Sequence, residues 1–244
     1  MDMKRNEAIV FVDFEYWTIA YKNLYDILPN ITQWSRSLER KFTKIQMYFF
    51  ADFTNTIFNN YIKEIETLKA KIIYTRDKKK LLKKEMTDFI MLDYIYQIGI
   101  NIDSPDTFII FSGDGHFQHV VRFLTQKLKK QVLVYGVMGT FSKSMKEFAS
   151  DIVEMPLSET ERLLYCDMIL KYLKHIKQKK RLVTFKNIVQ NVSAINNVSS
   201  ELIKIALNWL LLKGIVYKST IRIEEKDIKT IKLSDKNNIN NLTI

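Results

Sequence analysis

Four aspartates stand where carboxylates can converge. In VFVDFE, FFADFT and FIIFSGDGHF an apolar run stops at Asp13, Asp52 and Asp114. In EMTDFIML, Asp88 follows Thr87, a residue suited to cap a helix whose first turn then holds the acid. Turns at strand ends favour Asp in any case, and a first-turn acid is ordinary helix chemistry, so each residue alone is uninformative. Their common placement is the informative feature. Carboxylates gathered in one place repel one another and need a positive centre, and hard oxygen ligands suit Mg²⁺ or Mn²⁺. Such an ion activates water and stabilises charge building on a phosphodiester. The turn SGDGHF adds a second group, His116, two residues after Asp114. Asp114 and His116 read as plain turn residues, as a phosphate cradle, or as part of a metal site.

The elements that must position these residues follow from periodicity. AIVFVDF, KIQMYFFAD, AKIIYTR, TFIIFSG and QVLVYGV are short, apolar and β-branched or aromatic, as strands covered on both faces are. Between them WTIAYKNLYDIL, NTIFNNYIKEIETLK, TDFIMLDYIYQIGI and FQHVVRFLTQKL repeat apolar residues three and four apart, which predicts helices. Strands alternating with helices predict an α/β domain with a mostly parallel sheet covered on both faces. Open sheets of this kind bind ligands outside the carboxyl ends of their strands, where Asp13 and Asp114 fall.

Composition narrows the function. The chain has 244 residues, 47% hydrophobic, with 6 Gly, 3 Pro, 3 His and one cysteine, Cys166. That excludes a disulfide framework, a Cys-based zinc site and a His-rich metal site. No apolar stretch approaches the roughly 20 residues that span a bilayer, and MDMKRNEAIVFVDFE has no apolar signal region, so a cytoplasmic protein without a membrane partner is expected. Net charge is +11. Residues 1–155 carry 22 Lys and Arg against 19 Asp and Glu, whereas residues 156–244 carry 16 against 8. A polyanionic partner is expected, with RNA favoured over single-stranded DNA. Six cations, Arg76, Lys78, Lys79, Lys80, Lys83 and Lys84, precede Asp88 in RDKKKLLKKEMTD and are candidates to hold a phosphate backbone. No G-x-x-x-x-G-K-[ST] loop, G-x-G-x-x-G turn or G-x-S-x-G elbow is present, and VDFE lacks the Asp-x-Asp of an aspartate-nucleophile phosphatase.

Taken together, AIVFVDFEYW, KKEMTDFIMLDYI, FIIFSGDGHF, KKQVLVYGV and FSKSMKEFASDIVEM resemble the NYN domain, a PIN-like nuclease fold, over residues 6–156. The resemblance implies a PIN-like three-layer sandwich, metal-dependent cleavage of RNA, and Asp13, Asp88 and Asp114 as the Mg²⁺- or Mn²⁺-binding acids. Two positions depart from the family pattern. Tyr16 stands where the family has Asn, and His116 replaces the second acid of Asp-x-Asp-Phe. His116 joins the catalytic candidates, and Glu15, Asp93, Ser112 and Asp151 are secondary ones. The alternative is a non-catalytic nucleic-acid-binding regulator with a degenerate NYN site.

After Pro156 the chain changes character. PLSETERLLYCDMILKYLKHI opens with a capping box of Ser158 and Glu161, and VTFKNIVQNV and VSSELIKIALNWLLLKG read as two further helices. IVYKSTIRIEEKDIKTIKLS alternates as a hairpin. The order predicts a small winged helix-turn-helix domain over residues 157–236, followed by a flexible tail at 237–244. Its third helix carries only Lys204 and Lys213 as cations, so phosphate contact, self-association or a partner protein is expected rather than base reading.

Overall fold

The computed structural model describes residues 6–75, 86–179, 181–223 and 226–234. The chain divides after Met155 into two compact units. In the first unit, six strands form one sheet: β1 (Glu7–Asp13), β2 (Lys44–Ala51), β3 (Lys71–Tyr74), β4 (Thr107–Phe111), β5 (Gln131–Val137) and β6 (Asp151–Met155). Their order is β3-β2-β1-β4-β5-β6, and every neighbouring pair is parallel. Strand order reverses between β1 and β4, which pair from Ala8–Thr107 to Val12–Phe111. Crossovers diverge to opposite sides there, leaving a crevice at the carboxyl ends of these two strands.

Burial explains why β1 and β4 lie at the centre. Ala8 to Val12 and Phe108 to Phe111 are each at most 1% exposed. Alternate residues face opposite layers. On one face Phe11 stacks on Tyr48 and Phe108 and is covered by Met91 and Ile95 of α5 (Met86–Gly99), together with Val120 and Val121 of α6 (Gln118–Arg122). On the other, Phe111 stacks on Trp17 of α1 (Phe14–Tyr25) with ring centroids 4.2 Å apart. Trp34 of α2 (Ile31–Glu39) meets the same ring edge-on. The result is a three-layer α/β sandwich.

Three elements, α2, β6 and α7 (Lys143–Lys146), are absent from the sequence expectation. Helix α2 starts after Pro29, with Asn30 accepting a hydrogen bond from the Gln33 amide, and buries Ile31, Trp34, Ser35 and Leu38 along one stripe. Strand β6 lies in the stretch that resembles the family's closing segment. The helix expected over residues 55–69 is instead two short ones, α3 (Thr56–Asn59) and α4 (Ile62–Thr67). The one expected from Phe117 begins as a tight turn over Gly115–Phe117 and ends in a wider one over Phe123–Lys127. A short helix, α7 (Lys143–Lys146), precedes β6.

The second unit contains α8 (Glu159–Gln178), α9 (Phe185–Asn196), α10 (Ser200–Leu212) and an antiparallel hairpin of β7 (Val216–Ile223) and β8 (Lys226–Leu233). Both halves of the Ser158–Glu161 capping box are formed. Gly214, with φ +67°, ends the run after α10. Among the described residues, no helix is long and apolar enough to cross a membrane.

Phe111 joins the aromatic layer to the turn that carries Asp114. Phe111→Ala is expected to cost about 3–5 kcal/mol of stability, the range for a buried aromatic, and Phe111→Leu clearly less, as read by urea denaturation.

Candidate metal centre

β1 delivers Asp13 to the crevice. Its side chain caps α1, with Oδ1 accepting the Tyr16 amide at 2.9 Å, while Oδ2 accepts from Ser112 Oγ at 3.4 Å. Ser112, wholly buried just past β4, also accepts the Asp114 amide at 3.2 Å, so one hydroxyl ties the two strand ends together. Asp13 is only 5% exposed, and burial, reinforced by the neighbouring Asp88 and Glu15 charges, pushes its carboxyl up to about 8.

Asp114 caps the turn that follows, accepting the His116 amide at 2.9 Å. The His116 ring folds back so that Nδ1 lies 3.2 Å from Asp114 Oδ1 and 4.0 Å from Asp88 Oδ2. One ligand atom from each of Asp88, Asp114 and His116 lies within 4.8 Å of the other two. Burial and the adjacent Asp114 charge raise the Asp88 carboxyl above the usual carboxylate range, and His116 works the other way. The spacing suits one cation, because ligand atoms about 2.1 Å from a shared ion lie within roughly 4.2 Å of each other and little inward movement is needed. Two carboxylates supply charge for a divalent ion. The imidazole adds a borderline nitrogen donor to the hard oxygens.

Glu15 braces the arrangement. It accepts the Asp52 amide at 2.6 Å and the Thr87 hydroxyl at 3.3 Å, and Thr87 in turn bonds Thr75 Oγ1 at 2.9 Å. Thr87 is therefore not the helix cap that the sequence predicts: α5 already runs from Met86, and the hydroxyl secures the ends of β2 and β3 against the start of α5. These threonine contacts join residues remote in sequence, and no local pattern marks them.

Tyr16, the first departure from the family pattern, is a strut. Its hydroxyl accepts the Val137 amide at 2.8 Å and pairs with Thr140 Oγ1 at 2.8 Å. A Cβ on Gly113 would lie 2.2 Å from that hydroxyl, and one on Gly115 would lie 2.9 Å from Ser142 Oγ. Neither glycine has positive φ. They serve close packing. Trp17 and Tyr21, on the same helix as Tyr16, are only 1% and 3% exposed and pack in the core.

Two secondary candidates stand apart. Asp93 is exposed on α5 and accepts from Gln97 Nε2 at 2.8 Å. Asp151 opens β6 in register with Leu133, near the amino end of β5, and so lies at the sheet edge opposite the cluster. Arg76, Lys78, Lys79, Lys80, Lys83 and Lys84 lie outside the described residues.

The cluster lies at the topological switch point of an open parallel sheet, where such sheets bind ligands, and its two carboxylates and imidazole suit a cation. The sequence matches the NYN domain over residues 7–158, and the chain belongs to that family, whose members are generally nucleases that use divalent metals. The six-stranded parallel fold is consistent with a PIN-like domain. Among solved structures, a protein of unknown function from Vibrio parahaemolyticus shares the fold, with a TM-score of 0.54 and 17% identity over 64% of this chain and 96% of its own. No curated protein matches the chain.

The raised Asp13 carboxyl sets a pH dependence. A group whose folded pKa lies above its unfolded value stabilises the fold below the unfolded value and loses that contribution as pH rises through the folded one. Stability in EDTA should therefore fall between pH 4 and pH 8, as Asp13 passes from its ordinary 3.8 toward about 8. Asp13→Asn should flatten this slope, measured by urea denaturation at intervals across the window; an unchanged slope would remove Asp13 as its source.

Proposed function

We propose that the first unit is a metal-dependent ribonuclease with Asp88, Asp114 and His116 as the cation ligands and Asp13 behind them as the buried acid of the site. The observation that carries the reading is the approach of three ligand atoms to within 4.8 Å, at the edge where β1 and β4 diverge. When bound, the cation supplies an activated water and offsets charge on the scissile phosphate. Asp88 and Asp114 would hold it, and they are themselves held, the first by α5 and the second by the turn it caps. Asp13, drawn back toward ionisation by a nearby positive charge, adds the negative charge that His116 does not supply. Ser112 and Glu15 fix the geometry of these acids through the hydrogen bonds described above.

Replacing an acid by His116 favours Mn²⁺ over Mg²⁺, because imidazole nitrogen is a poorer ligand for the harder ion. RNA is the preferred substrate on the strength of the family likeness and of the excess of Lys and Arg. The second unit fits a winged-helix-like module for phosphate contact: the β8 amide of Ile231 donates to Val183 O at 2.9 Å, extending the hairpin by one bond, as a short third strand would. Ile203, Ile205, Ala206, Leu207, Trp209 and Leu210 of α10 are buried, so that helix has little surface with which to read a groove.

The test is cleavage of labelled single-stranded RNA and DNA in Mn²⁺, Mg²⁺ or EDTA. Wild type should cut RNA in Mn²⁺ and be silent in EDTA. Asp114→Asn should lose at least about 100-fold, the upper range for losing a mere outer-sphere partner. His116→Asp should shift the preference toward Mg²⁺. An identical product pattern from wild type and Asp114→Asn would sink the enzyme reading and leave nucleic-acid binding alone.

A further inference from the structure

We propose that the cavity at the C-terminal end of α8, in the second unit, is a nucleotide subsite that takes one unpaired base of a single-stranded nucleic acid. The proposal rests on the reading of this protein as one that acts on such a strand. It adds a binding site away from the carboxylates and independent of any metal.

The cavity measures about 380 Å³, within the range of small-ligand pockets. Its floor is aliphatic, built from Leu173 and Ile176 of α8 and from Val183, whose carbonyl is held by β8. Leu182 and Tyr217 line it while remaining 49% and 43% exposed, so two large apolar side chains are open to solvent on one concave surface. Lys177, Arg181 and Lys232 add three cations to the lining, and among the described residues no acidic side chain lines it. Tyr217 and Lys232 are direct cross-strand partners, which sets the ring and the ammonium on the same face of the hairpin.

An apolar floor, an exposed aromatic face and a basic rim match the three parts of a nucleotide. The base stacks on Tyr217 and the aliphatic wall, and the flanking phosphates meet the cations. Residues 156–244 carry 16 Lys and Arg against 8 Asp and Glu, so the surrounding field also favours a polyanion. A base is accepted by stacking rather than by edge hydrogen bonds, which makes the subsite tolerant of sequence.

Fluorescence anisotropy of labelled oligoadenylate and oligouridylate on the full chain in EDTA tests the proposal. Tyr217→Ala should weaken both roughly five- to hundredfold, the range for one stacking contact, while Tyr217→Phe and Tyr217→Trp retain affinity. Arg181→Gln should lower the salt slope, and adenosine monophosphate should compete where inorganic phosphate at the same concentration does not. Unchanged affinity in Tyr217→Ala overturns the proposal, as does competition by an acidic peptide but not by the mononucleotide. The two readings fail separately. Cleavage in Mn²⁺ with Tyr217-independent binding removes the subsite alone, and Tyr217-dependent binding without cleavage removes the nuclease alone.

Discussion

Everything in the first unit is arranged around one carboxylate held almost out of water. Asp13 ends the central strand, and its ionised form has lost most of its hydration there. The price is a carboxyl pushed up to about 8. Two hydrogen bonds, from the Tyr16 amide and Ser112 Oγ, lower that cost without removing it. A fold keeps such a group only where something else supplies positive charge or where the neutral form is useful. In the crevice between β1 and β4 the Asp88 and Glu15 charges add to that cost, and Asp88, Asp114 and His116 bring three potential ligand atoms together.

The packing supports this at a distance. The Phe111–Trp17–Trp34 layer fixes the end of β4, and the Tyr16 hydroxyl fixes the end of β5, so the loops that leave both strands start from rigid points. Tyr16 thus answers one of the two departures from the family pattern. It stands where an acid-site Asn is expected and instead binds the β5 backbone, in the space that Gly113 leaves by having no side chain. This exchange is structural and says nothing against activity.

What the sequence made legible divides along the same line. Strand ends and the first turn of a helix are local, so Asp13, Asp88 and Asp114 were readable from apolar runs and from spacing. The alternation of strands and helices likewise gave the parallel α/β sheet. Which acids meet is a tertiary fact. Asp151 and Asp93 carry the same chemistry, yet one starts its strand at the far edge of the sheet and the other lies round the helix from Asp88. The reason for the glycines of SGDGHF is steric and not visible locally, because Tyr16 and Ser142, which fill the space, come from other parts of the chain. Helix α2 carried a readable apolar stripe, but in a short segment rich in polar residues that follows a Pro-Asn turn.

His116 stands where the sequence resemblance leads one to expect a second acid, and its placement gives that departure a physical sense. A carboxylate at that position would face Asp114 and Asp88 at close range, in a crevice where burial and mutual repulsion already raise Asp88 and Asp13. The imidazole relieves Asp88 instead of loading it. The metal-free site is therefore less strained than a full set of acids would be, and the attraction for a cation is correspondingly smaller. The exchange lowers the repulsion among the acids of the crevice and, with it, the pull on a hard cation.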